Sequence, residues 1–363
     1  MNDTRRLIER VGERAPFPED AFGRMLRRRD RKRRNQRLAA AGVGVAVFVA
    51  MIAFLLSENP FGRSLKPAVP TPSAGTALIG NGEITINTYP GNGEGLQAID
   101  PAGGQAHVLV PCTDPCYAIG GVAWSPDGTR LAYNQSSYED PGMNGIYLLD
   151  VGTGESARLT HCGDGCPRGQ GGLAWSPDGS QIAYSGGGIF VMDADGSDRR
   201  VIPNGPVQEP GGIAWSPDGT RIAFTGHEGN AYHVYTMNLD GSDLTPLIEQ
   251  SMYECCNTPS WSPDGTKILY FATPKAGARW GSQVWVMSSD GSDQTLLADF
   301  VCCQDLYGGL WSPDGTKIAF VVGTDPEVTP HLYVMNADGS ELTRVTESWG
   351  RPAWQPIPPQ EGP

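Results

Sequence analysis

Short apolar runs, each stopped by a turn signal, recur along the chain from about residue 76 to residue 357. The clearest unit runs from Leu310 to Thr346. Its first run carries Trp311 and stops at Ser312-Pro313-Asp314-Gly315. Proline presets φ at the second turn position, aspartate can cap the local backbone, and glycine accepts the reversed φ that closes a hairpin. Lys317-Ile318-Ala319-Phe320-Val321 follows, a largely apolar stretch expected of a strand covered on both faces. His331-Leu332-Tyr333-Val334-Met335 gives a third strand, and Asp338-Gly339 signals a two-residue hairpin turn. Leu342-Thr343-Arg344-Val345-Thr346 is shorter and more polar, as an outer edge strand should be.

The string Trp-Ser-Pro-Asp-Gly occurs five times, at Trp124, Trp175, Trp215, Trp261 and Trp311, and a worn copy follows at Trp354. Successive tryptophans lie 51, 40, 46, 50 and 43 residues apart. A period of this length means supersecondary units too small to bury their own apolar faces. Four antiparallel strands per unit is the blade of a β-propeller. The ends set the count. Glu83 to Tyr89, Leu96 to Asp100 and Val108 to Val110 make a blade without its tryptophan strand, and Pro352-Ala353-Trp354 is such a strand without a blade. Joined, they predict an all-β, six-bladed propeller over residues 76–357, its ring closed by strands from both ends.

The repeated unit, with its Val334 to Ser340 type of hairpin, resembles the TolB-type, WD-like propeller repeat. The resemblance implies envelope-associated protein interaction. No TolB-type N-terminal domain is legible in this chain, so the family's specific partner does not carry over. Related repeats also precede hydrolase domains, but the chain holds no Gly-x-Ser-x-Gly nucleophile elbow.

Charge changes the picture at the N-terminus. Residues 1–37 carry 13 Lys/Arg against 6 Asp/Glu, whereas the remaining chain is strongly acidic and brings the total to −13. Between them, residues 38–56 hold no charge. Nineteen helical residues at about 1.5 Å each span a hydrocarbon core. The reading is a basic, short-helical cytoplasmic segment (1–37), a single transmembrane helix (38–56), a proline-rich linker (57–75), the propeller, and a tail (358–363). The basic cluster should stay inside, placing the propeller outside the cytoplasmic membrane. A docking segment for a cytoplasmic partner, in the manner of membrane-bound anti-sigma factors, is the alternative use of residues 1–37. Nucleic acid is not expected to bind the acidic outer domain.

All eight cysteines follow the apolar segment, paired in sequence as Cys112/Cys116, Cys162/Cys166, Cys255/Cys256 and Cys302/Cys303. In an oxidising compartment they read as disulfide candidates in the loops between blades. Cys112–Cys116 and Cys162–Cys166 can close locally, but the connectivity stays open. No cofactor or metal is expected. The aspartates Asp127, Asp178, Asp218, Asp264 and Asp314 occur one per blade and read as turn residues. Asp193 to Asp198 and Asn238 to Asp243 echo a calcium loop but lack its terminal glutamate, and are read as hairpin turns.

Strand parity places the Ser-Pro-Asp-Gly and Asp-Gly-Ser turns on one rim and the interblade and second-to-third loops on the other. Variable loops on a rigid ring are the expected recognition surface. The candidate ligand residues there are Tyr138, Glu139, Asp140, His227, Tyr232, Arg279, Trp280 and His331. The function expected is non-enzymatic binding of a protein, peptide or envelope glycan. The alternatives are a hydrolase or lyase acting on an envelope polymer, and a transmembrane signalling protein.

Overall fold

The computed structural model describes residues 80–87, 95–113, 116, 118–137, 139–161, 172–229, 231–248, 253–274, 282–300, 305–323, 329–348 and 350–358. The cytoplasmic, transmembrane and linker assignments over residues 1–75 lie outside these, as does the tail beyond Pro358. Among the described residues no helix is long and apolar enough to cross a membrane.

The described residues form six four-stranded antiparallel sheets. Blade 1 contains β1 (Gly80–Asn87), β2 (Leu96–Ile99) and β3 (His107–Val110). Blade 2 contains β4 (Ala118–Trp124), β5 (Arg130–Ser136), β6 (Gly145–Asp150) and β7 (Ser156–Arg158). Blade 3 contains β8 (Leu173–Trp175), β9 (Gln181–Ser185), β10 (Ile189–Asp193) and β11 (Arg200–Ile202). Blade 4 contains β12 (Gln208–Trp215), β13 (Arg221–Glu228), β14 (Ala231–Asn238) and β15 (Thr245–Pro246). Blade 5 contains β16 (Tyr253–Trp261), β17 (Lys267–Pro274), β18 (Ser282–Ser288) and β19 (Thr295–Phe300). Blade 6 contains β20 (Asp305–Trp311), β21 (Lys317–Gly323), β22 (His331–Asn336) and β23 (Thr343–Glu347). The last strand, β24 (Ala353–Ile357), returns to blade 1, whose order is β24-β1-β2-β3. Ile84 pairs with Trp354 and Thr85 with Ala353, so the expected two-ended closure is present.

The apolar alternation explains why the ring holds. In β21, Ile318, Phe320 and Val322 pack with Leu269, Val284 and Val286 of blade 5. Its alternate residues Ala319 and Val321 pack with Ile84, Ile86 and Trp354 of blade 1. Equivalent clusters join blades 1 and 2, 2 and 3, 3 and 4, and 4 and 5. Each sheet therefore buries both faces against its neighbours, and six interfaces close the circle. The outer strands stay polar: Thr343 and Arg344 of β23 are exposed.

Both turn families build themselves. Ser176 Oγ donates to Asp178 Oδ1 at 2.6 Å, and Ser180 donates to the same oxygen through N at 3.0 Å and Oγ at 2.8 Å. Gln181 N returns to Ser176 Oγ at 2.9 Å, and Gly179 takes φ +70°. The same network recurs at Asp127, Asp218, Asp264 and Asp314. The second family corrects an expectation. Gly196 N donates to Asp193 O and Asp193 N to Ser197 O, so the hairpin loop has three residues rather than two, with Gly196 left-handed at φ +87°.

Two further expectations change. Cys255 and Cys256 lie within β16, opposite Thr273 and Ala272, rather than in the loop between blades. His227 and Tyr232, expected on a variable loop, lie in strands instead, since β13 runs to Glu228 and β14 begins at Ala231. Eight-residue strands carry the pairing out to the rim there.

Candidate functional site

On the loop-bearing rim, strand register sets the side chains. His227 of β13 pairs directly with Tyr232 of β14. Their rings lie 5.1 Å apart, and Tyr232 is 39% exposed. His227 Nδ1 meets Gly229 O at 3.0 Å, while Nε2 stands 3.6 Å from Glu209 Oε2 on β12. The result is an aromatic, imidazole and carboxylate surface drawn from three strands of blade 4. His233 faces elsewhere, with Nδ1 on Ile248 O at 2.8 Å.

The remaining expected residues do not join this cluster. Asp140 caps the 3₁₀ turn Pro141–Met143 through Gly142 N at 2.9 Å. Arg158 holds the same loop by donating to Gly142 O, to Asn144 O at 2.8 Å and to Thr160 O at 2.8 Å. Glu139 is exposed beside it on blade 2. His331 begins β22 on blade 6. These residues therefore stand on blades 2, 4 and 6. Tyr138, Arg279 and Trp280 lie outside the described residues, as do Cys162, Cys166, Cys302 and Cys303. Cys112 and Cys116 are disulfide-bonded, with Cα atoms 5.3 Å apart.

The repeat aspartates titrate low for a local reason. Hydrogen bonds from the Ser176, Ser216 and Ser262 hydroxyls lead in holding Asp178, Asp218 and Asp264 below the ordinary carboxylate value. For Asp127 and Asp314, burial pushes upward, and the hydrogen bonds outweigh it. Each carboxylate is occupied by its own turn. Among the described residues, no three His, Cys, Asp or Glu side chains are placed to hold a metal.

A second feature was not anticipated. The ring encloses a central cavity of about 280 Å³, walled by the innermost strands, with Trp124, Trp175, Trp215, Trp261 and Trp354 on its boundary. Its lining includes Thr258 and Arg351 and no acidic residue. The sequence does carry a signal for it. The residues three places before the six repeat tryptophans are Gly121, Gly172, Gly212, Thr258, Gly308 and Arg351.

Residues 112–304, over half of the chain, match the PD40 family, described as the TolB beta propeller domain. The Tol-Pal system protein TolB of Alcanivorax borkumensis is 32% identical over 104 residues, covering 28% of this chain and 21% of that protein. A crystal structure of TolB from Acinetobacter baumannii superposes with a TM-score of 0.61 at 22% identity, covering 75% of this chain and 66% of that one. The structure of a putative TolB from Agrobacterium tumefaciens gives 0.56 at 20% identity, covering 77% and 98%. The chain thus spans about a fifth of the length of the TolB relative it matches in sequence. In class, the fold is a closed six-bladed propeller with repeat turns on one rim and a walled channel. Within that class, the chain belongs to the TolB β-propeller domain family.

Proposed function

We propose that the propeller is a non-catalytic binding module that recognises a protein, peptide or envelope glycan through the rim of interblade and second-to-third connections. The observation that carries this reading is the contrast between the rims. On one, the same turn recurs blade after blade, its carboxylates satisfied internally. On the other, the blades differ, and blade 4 presents His227, Tyr232 and Glu209 together. A surface that varies between otherwise equivalent units is where a rigid ring gains specificity. Tyr138, Arg279, Trp280 and His331 extend the candidate surface.

Residues 38–56 would hold the module on the outer side of a bacterial cytoplasmic membrane, with residues 1–37 inside. The relative from Alcanivorax is named for the Tol-Pal system, and membership in its propeller family supports an envelope role here. A photo-crosslinking side chain at Tyr232 should capture a defined envelope component in cells, and the same probe at Asp240 on the opposite rim should not. Capture from Asp240 alone would reverse the assignment. Labelling of propeller thiols in intact cells by an impermeant reagent after reduction tests the orientation.

A further inference from the structure

Of the six positions three residues before each repeat tryptophan, Gly121, Gly212, Thr258 and Gly308 lie within the innermost strands, and Gly172 and Arg351 lie just before β8 and β24. In blades 2, 4, 5 and 6 the strand register slips there, between Gly120 and Ala123, Gly211 and Ala214, Asn257 and Ser260, and Leu306 and Gly309. Such bulges need a left-handed residue, and Gly121, Gly212 and Gly308 take φ of +53°, +54° and +92°. Thr258 occupies the same position at φ +32°, where a β-branched residue is strained. Its Oγ1 is buried without a hydrogen-bond partner.

Arg351 occupies the sixth position. Its stem lies over Gly308: a Cβ added there would stand 3.1 Å from Arg351 Cγ and 3.1 Å from Thr258 Oγ1. The absent side chain lets the Arg351 stem and the Thr258 hydroxyl approach the same point above Gly308. Channel solvent reaches Arg351 in part, but protein encloses it deeply enough that burial pulls its guanidinium down to about 10. It has no hydrogen-bond or ion-pair partner among the described residues, and no acid lines the cavity. A buried cation without a counter-charge is costly. A guanidinium meets two oxygens of one oxyanion in a planar fork, and a neighbouring hydroxyl can donate to a third lone pair.

We propose that the channel binds a single small oxyanion, a carboxylate or a phosphate, between the Arg351 guanidinium and the Thr258 hydroxyl. The acidic chain, at net −13, repels anions at long range, so occupancy depends on this local pairing rather than on the overall field. The site stands apart from the rim surface and does not require it.

The five tryptophans on the cavity wall provide the readout. The purified full chain is titrated with acetate and, separately, with inorganic phosphate, at ionic strength held constant with chloride. Saturable fluorescence change with a 1:1 calorimetric stoichiometry is expected for at least one probe, and the comparison assigns carboxylate or phosphate chemistry. Arg351→Gln should weaken binding by about tenfold or more, and Thr258→Val by about threefold. Arg351→Lys, which keeps the charge but loses the fork, should fall between wild type and Arg351→Gln. Absence of saturation with both probes in the wild type would overturn the proposal by itself, leaving Arg351 as a plug that fills the channel. Unchanged affinity in a folded Thr258→Val and Arg351→Lys pair would also overturn it.

Discussion

At the scale of single residues, the repeat aspartates do the most with the least. Each accepts from a serine hydroxyl and from the backbone and hydroxyl of the following Ser or Thr, tying a four-residue loop into one conformation. Asp218→Ala would leave Ser216 Oγ and Thr220 N without that acceptor and should destabilise the protein by about 1 kcal/mol in urea titrations. The carboxylates also make stability depend on pH. Their folded values lie below the unfolded one, so their contribution is full above about pH 4. It is lost as pH falls through the folded values. Because the turn recurs five times, the urea midpoint should be flat between pH 5 and 7 and drop steeply below about pH 4. A midpoint unchanged down to pH 3 would contradict this. These roles were legible because Pro-Asp-Gly chemistry is local. Glu209 was not, since it reaches His227 only through a β12–β13 register that no short window encodes.

At the scale of elements, burial follows from alternation. Ile318, Phe320 and Val322 point one way and Ala319 and Val321 the other, and both sets are buried because every blade is sandwiched. This logic was readable from an apolar run that shows no polar face. Strand ends were less readable. The polar tips His227, Glu228 and His233 look like loop, but eight backbone partners carry β13 and β14 to the rim. Cys112–Cys116 pins the entry to β4 from outside the sheets. The bridge closes only a short loop, so chain-entropy reasoning limits its contribution to about 2 kcal/mol. Reduction should therefore lower the unfolding midpoint modestly, with circular dichroism still reporting a β-protein. Loss of the fold on reduction would mean the remaining cysteines matter far more than this bridge.

At the scale of the molecule, closure is the governing fact. The sequence revealed the ring through an orphan tryptophan strand and an incomplete first blade, two fragments that make sense only together. It did not point to the channel, because the residues that line it, Gly121, Gly172, Thr258 and Arg351 among them, lie far apart in sequence and each looks unremarkable alone. Trp354 is 3% exposed, packs with Ile84, Ile86 and Leu332, and donates Nε1 to Gly82 O at 3.0 Å. Trp354→Ala should cost about 3–5 kcal/mol, measured by denaturant unfolding, a larger effect than any rim substitution. Gln355 adds a second tie by donating Nε2 to Gly128 O at 3.0 Å in blade 2. Since β1 waits for β24, a growing polypeptide can assemble five sheets while the sixth remains three-stranded, with bare amide groups along its inner margin. Any product that stops short of residue 353 keeps that margin open, which makes it prone to clumping and easily recognised by quality-control proteases.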